Sequence, residues 1–241
     1  MKNIADRFGK SKEDREFIIL KNVVKSFQSG EGAVEILKNI SINIKRGEFV
    51  GVFGKSGSGK STLLNVLTGI DRPTEGEVWI DTSPIHKYSE SEMALLRGGN
   101  IGIVFQFFQL LPMLTLLENV ILPMDFSRKI NKNDRRERAM LLLRKLGIEE
   151  HAHKYPTAVS GGQQQRAAIA RALANDPDII IADEPTGNLD SVTSKAIFSI
   201  FKELAAEGKT IIIVTHDNSV RDEFSRVIRI SDGVVSHEEV C

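Results

Sequence analysis

The segment Gly54-Lys-Ser-Gly-Ser-Gly-Lys-Ser61 constrains this chain more than any other. It satisfies G-x-x-x-x-G-K-[ST] at every fixed position, follows the short apolar run Phe49–Phe53, and precedes a helix expected over Ser61–Leu67. Glycines let such a loop wrap tightly, so the backbone N–H groups of Gly54, Ser56, Gly57, Ser58 and Gly59 can turn inward onto phosphate oxygens. The helix N-terminus adds positive dipole. Lys60 offers a point charge to the β- and γ-phosphates and Ser61 a hydroxyl to Mg²⁺, with Thr62 beside it. This loop belongs between a strand and a helix, which predicts an α/β fold.

The remaining pattern agrees. Phe17–Val24 and Ile36–Lys45 are rich in β-branched residues, and Val78–Ile80 is a further short strand candidate. Ile179–Ala182 and Thr210–Thr215 read as strands buried on both faces, separated by a helix over Ser194–Glu207 that ends at Gly208. Arg226–Ile230 and Val234-Val235 flank Asp232-Gly233, a hairpin signal. Alternation of strands and helices predicts a parallel core. Residues 89–157, with an N-cap at Ser89 and an amphipathic helix over Asp134–Leu146, read as a helical insertion. Met1–Glu16 is charged without an apolar run, so it reads as a terminal extension rather than a signal peptide.

Two carboxylates end the apolar run Ile179–Ala182. At the carboxyl edge of a parallel sheet Asp183 can hold Mg²⁺, directly or through water, and Glu184 can orient or deprotonate an attacking water. His216 ends the Thr210–Thr215 run at the same edge, where it can donate to a γ-phosphate. A second anion-binding device is Ser160-Gly-Gly-Gln163, which reads as an N-cap with exposed N–H groups opening a helix over Gln163–Ala174.

Taken together, the loop at 54–61, Gln106, Ser160-Gly-Gly-Gln163, Asp183-Glu184, Gly187-Asn-Leu-Asp190 and His216 resemble, in order, the ATP-binding subunits of ABC transporters. The resemblance covers residues 17–236. It implies a P-loop NTPase core with a mainly parallel sheet, an antiparallel β subdomain at the N-terminal side and an inserted α-helical subdomain. In these terms 17–88 and 158–236 form the core and β subdomain, 89–157 the helical subdomain, and 237–241 a tail. The implied activity is ATP hydrolysis with Mg²⁺ by a homodimer in which each ATP lies between one phosphate loop and the other subunit's Ser160, Gly161, Gly162 and Gln163. By the same resemblance Phe27 stacks on adenine, Gln106 reaches Mg²⁺ and water, Glu184 is the general base, His216 the switch histidine, and Asp190 links the two sites. Val159 and Phe27 depart from the commoner Leu and Tyr, and both changes are conservative.

Phe105–Val120 and Ala182–Asp190 are similar to the branch serving lipoprotein release, macrolide export and antimicrobial-peptide export; cell-division ATPases share much of it. The implied partner is a separate integral-membrane permease, so the expected location is the cytoplasmic face of the membrane. Ile101–Met124 is apolar, but Gln106, Gln109, Pro112, Glu118, Asn119 and Pro123 interrupt it, which argues against a membrane span. Part of Phe107–Leu117 is therefore expected to form an exposed apolar groove for the permease, with Phe108 and Leu111 as its test positions. Lys+Arg and Asp+Glu balance at 32 each, which argues against nucleic acid as the main partner. A soluble ABC ATPase without transport is the rival class. The basic run Arg128–Arg138 is expected to be a solvated helix face, and His151 and His153 surface residues.

Overall fold

The structure, a computed structural model, describes residues 16–30 and 32–240. The expected extension at 1–16 lies outside the described residues except for Glu16, which opens the first strand. The element order is β1 (Glu16–Ser29), β2 (Gly32–Lys45), β3 (Phe49–Phe53), α1 (Lys60–Leu67), β4 (Glu75–Ile80), α2 (Glu90–Asn100), β5 (Ile101–Val104), α3 (Leu116–Ser127), α4 (Arg135–Lys145), α5 (Gly161–Leu173), β6 (Ile179–Asp183), α6 (Ser191–Ala206), β7 (Thr210–Thr215), β8 (Arg226–Ser231) and β9 (Val234–Val240).

These strands form two sheets. The larger has the order β5-β6-β7-β3-β8-β9, parallel except for the β8–β9 hairpin, and the smaller is the antiparallel β2-β1-β4. All five residues of β3 and all six of β7 are buried, as unbroken Val/Ile runs require when both faces of a sheet are covered. One face packs on α5 and α6 through Phe201, Leu204, Ile169 and Leu173. The other packs on α1 and the smaller sheet through Leu63, Leu67, Leu37 and Ile18.

Three sequence expectations change. The segment 89–157 is not purely helical: Ile101–Val104 is the edge strand β5, paired parallel with Ile179–Ala182 of β6. Four residues are too few for a periodicity signal, and Gly102 is required because a Cβ there would lie 2.6 Å from the Ala172 carbonyl of α5. Of the expected tail at 237–241, residues 237–240 belong to β9, which continues through Val240. The basic run is not a solvated face throughout. Arg138 Nε donates to the Ala174 carbonyl at 2.6 Å and Arg135 Nε to Ile130, so these guanidiniums serve carbonyls that a helix end or loop leaves open.

At the foot of the larger sheet Phe224 meets the Phe49, Phe53 and Phe198 rings at centroid distances of 4.8, 5.6 and 6.0 Å. It also lies against Gly51, where a Cβ would approach its ring to 2.8 Å. Phe224→Ala should therefore lower unfolding stability by about 3–5 kcal/mol, read as an earlier urea midpoint. An unchanged midpoint would mean that this aromatic cluster adds nothing.

Candidate nucleotide site

Parallel pairing places the candidate residues along one edge. Phe53 is level with Thr215 and Asp183 with Val214, so Gly54, Glu184 and His216 leave the sheet side by side. Val104 is level with Ala182, which puts Gln106 beside Glu184. Near Gly187 the two converge: Gln106 Nε2 and Glu184 Oε2 each lie 3.4 Å from the position a Gly187 Cβ would take. The Asn188 side chain also donates to the Gln106 carbonyl at 3.2 Å.

The loop at 54–61 is a tight turn before α1. Gly57 and Gly59 have φ of 78° and 101°, values that favour glycine. A Cβ on Gly54 would meet the Ile230 carbonyl at 2.4 Å and Ser58 Oγ at 2.5 Å. Ser56 and Gly57 are exposed, Thr62 is half-buried, and Ser58 and Lys60 are buried. Lys60 Nζ donates to the Lys55 carbonyl at 2.8 Å, so the ammonium is folded back under its own loop. Ser58 Oγ is buried without a hydrogen-bond partner among the described residues. A buried orphan hydroxyl next to a buried ammonium suits a site whose missing partner is an anion.

Behind this loop, burial pushes the Asp183 carboxyl above its ordinary value; adjacent Glu184 adds to the rise, and the Ser61 hydrogen bond and Lys60 oppose it. Glu184 has φ of 43°, and its backbone N–H donates to Val214 at 2.9 Å. His216 is 64% exposed and places Nδ1 2.8 Å from Glu184 Oε2. The pair is ionic when the imidazole is protonated.

Ser160-Gly-Gly-Gln163 is built on a different element, the start of α5. Ser160 caps α5 in a capping box with Gln163. Its glycines contact Leu189, Phe108 and Thr193, and a Cβ on Gly162 would lie 2.6 Å from Thr193 Cγ2. Asp190 caps α6, accepting from the backbone of Val192 and Thr193. Phe27 lies near the end of β1, part-exposed, with Lys25 Nζ 4.7 Å above its ring.

Several residues at the site were not singled out from sequence. Lys25 shares a face with Phe27 by the period of two along a strand, a signal open to sequence reading. Gln165 is fully buried and donates to the Pro185 carbonyl at 2.7 Å, joining α5 to the loop after Glu184. Arg171 donates to the carbonyls of Phe108 and Gln109, whose φ values are 58° and 48°. Neither link has a local sequence signature, because each spans a long stretch of chain. His151, expected at the surface, has a part-buried side chain with Nε2 2.7 Å from Gln163 Nε2, whereas His153 is exposed as expected.

A family model described as ABC transporter matches residues 37–187, more than half of the chain. The chain belongs to the ABC transporter family. It is 50% identical over 226 residues to the uncharacterized ABC transporter ATP-binding protein MJ0796 of Methanocaldococcus jannaschii, covering 92% of this chain and 96% of that protein. It is 45% identical over 225 residues to the macrolide export ATP-binding/permease protein MacB of Syntrophobacter fumaroxidans, covering 92% of this chain but 32% of MacB. It superposes, with a TM-score of 0.87 and 47% identity over 92% of this chain and 98% of the other, on a dimeric post-hydrolysis structure of the MJ0796 cassette bound to ADP and Pi. The chain is thus an ABC ATPase cassette homologous to transporter ATP-binding subunits. Among the described residues, no helix is long and apolar enough to cross a membrane.

Because folding raises the affinity of Asp183 for its proton, its ionised form costs stability above the ordinary carboxylate range, and this cost disappears as pH falls and the carboxyl is protonated. Asp183→Asn should therefore raise the thermal midpoint of the nucleotide-free protein at neutral pH, lose that advantage in acid, and abolish ATP turnover. A midpoint lowered at neutral pH would contradict this account of the half-buried carboxyl.

Proposed function

We propose that this ABC ATPase works as a head-to-tail homodimer driving a separate membrane permease of the exporter type. The observation that carries this reading is that one chain carries two half-sites on different elements, the loop before α1 and the capped start of α5. Lys60, Ser61, Asp183, Glu184, Gln106 and His216 gather at the sheet edge, whereas the capped, glycine-lined start of α5 packs on Thr193 and Leu189. The dimeric MJ0796 cassette with ADP and Pi supports two such half-sites meeting across subunits. ATP then lies between the phosphate loop of one subunit and Ser160, Gly161, Gly162 and Gln163 of the other, with adenine on Phe27.

In this reading the N–H groups of residues 54–59 and the Lys60 ammonium, released from the Lys55 carbonyl, hold the β- and γ-phosphates. Ser61, Asp183 and Gln106 would hold Mg²⁺, which neutralises charge on the transferred phosphoryl group. The residues fit a hard cation: Asp183 is a half-buried carboxyl whose charge Lys60 and Ser61 do not fully compensate, and the hydroxyl, carboxylate and amide oxygens are all suitable donors. Glu184 orients the attacking water and accepts its proton. His216 holds the Glu184 carboxylate through Nδ1 and donates to the γ-phosphate. Closure contributes ATP contacts from both subunits, and loss of the γ-phosphate removes the bridge between them, so hydrolysis becomes subunit opening.

The permease part of the reading rests on an apolar surface next to Gln106. Leu116 and Leu117 belong to the core, whereas Phe107 and Met113 are 70% and 75% exposed. Phe108 is half-buried with its ring toward Gly161, so it is a poorer test of docking than Phe107. Nearby, Ile101, Phe105, Leu122, Pro123, Phe126 and Arg171 line a cavity of about 360 Å³. A stretch of this kind suits an apolar helix end from a membrane subunit, and the similarity to MacB, whose name joins ATP-binding and permease functions, supports the exporter branch.

Two outcomes test the proposal. Glu184→Gln should lower kcat by about 10²–10⁴ and, with MgATP, convert monomer to dimer in sedimentation; a variant that stays monomeric at saturating MgATP refutes the two-subunit site. Phe107→Asp or Met113→Asp should abolish recovery of a co-purifying membrane protein from detergent extracts while leaving nucleotide affinity unchanged. Full recovery by both variants would remove this surface from the docking site.

A further inference from the structure

The hydrogen bonds at the start of α5 fix the orientation of one amide. Gln163 Oε1 accepts from the Ser160 backbone N–H at 2.9 Å, and Ser160 Oγ accepts from the Gln163 N–H at 3.3 Å. Only an oxygen can meet the Ser160 N–H, so the amide nitrogen of Gln163 must point the other way. It lies 2.7 Å from Nε2 of His151, in the turn after α4. An amide NH₂ only donates, so His151 Nε2 accepts and the ring proton sits on Nδ1.

That arrangement carries a cost. His151 Nδ1 is buried and has no hydrogen-bond partner among the described residues. A buried donor left unmet detracts from stability, so the ring is not placed where it best stabilises the fold. What it does provide is a fixed acceptor for Gln163. Other charged groups on the surrounding elements are already engaged. Glu149 is held by Arg144 of α4, Arg166 of α5 donates to the Leu146 carbonyl, and Glu118 of α3 caps Thr115. Glu150 Oε1, on the same turn, lies 3.3 Å from Nε2 and cannot donate to it when ionised.

We propose that His151 is a positioning residue for ATP turnover: by accepting from Gln163 it holds the capping box closed and so keeps the start of α5 in place, with the Gly161 and Gly162 N–H groups aimed at the γ-phosphate of the other subunit's ATP. Without this acceptor the Gln163 amide keeps only its bond from the Ser160 N–H, so the box is held at one end and opens more readily. The ligand of these N–H groups rests on the two-subunit reading above; the geometry around His151 does not.

The experiment uses the full chain in the Glu184→Gln background and separates two equilibria. Binding of a fluorescent ATP analogue by dilute monomer reports on the phosphate loop, and MgATP-dependent dimerisation by sedimentation reports on the Ser160–Gln163 start of α5. His151→Leu removes the acceptor and should weaken dimerisation by about ten-fold, with monomer affinity within about two-fold of the parent. His151→Gln puts a carboxamide oxygen at comparable reach and should restore dimerisation to within about three-fold of the parent. His151→Lys, which offers donors only, should reproduce the loss and serves if the Leu variant does not fold. The proposal is overturned if Leu or Lys dimerises like the parent, or if Gln is as impaired as Leu, since the ring would then only fill space. If the Glu184→Gln parent itself stays monomeric with MgATP, the two-subunit reading fails first and this inference falls with it, which is seen before any His151 variant is made.

Discussion

Everything functional in this molecule depends on the parallel register of β6, β7 and β3. These strands are buried on both faces and carry almost nothing but Ile, Val and Phe, so they cannot slide without exposing apolar surface. Their pairing makes Asp183 level with Val214 and Phe53 level with Thr215. The chain therefore turns from apolar to polar at one height across neighbouring strands. At that edge it delivers a glycine loop, two carboxylates and a histidine into one crevice. The polar groups gain little from one another in the absence of ligand: Asp183 is held above its ordinary pKa by burial, Ser58 Oγ is unpaired among the described residues, and Lys60 settles for a carbonyl of its own loop. The apolar strands supply the stability that lets such a strained edge persist.

The helix α5 ties that edge to the rest of the subunit. Its start carries Ser160-Gly-Gly-Gln163, its first turns donate from Gln165 to the loop after Glu184, and Arg171 near its end holds the carbonyls of Phe108 and Gln109. The last contact is notable because both residues sit at positive φ, a conformation non-glycine residues adopt reluctantly, and a part-buried guanidinium shared between the two carbonyls helps to maintain it. Burial holds the Arg171 guanidinium below its ordinary pKa. A shift of α5 against the sheet would move its Ser160–Gln163 start, the Glu184 loop and the exposed Phe107–Met113 surface together, which would give the proposed permease contact a physical route to the ATP site.

Much of this was legible in the chain itself. The spacing Gly54…Lys60-Ser61 defines a phosphate loop because backbone chirality and charge leave few alternatives. The Ile/Val runs ending in Asp183-Glu184 and His216 placed those groups at a strand's carboxyl end before any coordinates. The same local logic failed where the deciding neighbour was distant. Ile101–Val104 is too short to reveal a period and becomes a strand because β6 offers an unpaired edge. Arg135 and Arg138 looked like a solvated stripe, but loop and helix-end carbonyls draw them inward. His151 resembled a surface residue until the cap of α5 was placed against it.

The sequence by itself determined the α/β class, the phosphate loop, the acidic strand end and the family, since each rests on residues close in the chain whose chemistry is set by type and spacing. The tertiary structure alone decided which of the greasy residues after Gln106 face outward, how the Gln163 amide is oriented, and which carbonyls the guanidiniums serve. Those outcomes depend on a buried donor or acceptor finding its partner, and the partner lies on an element that no local pattern names.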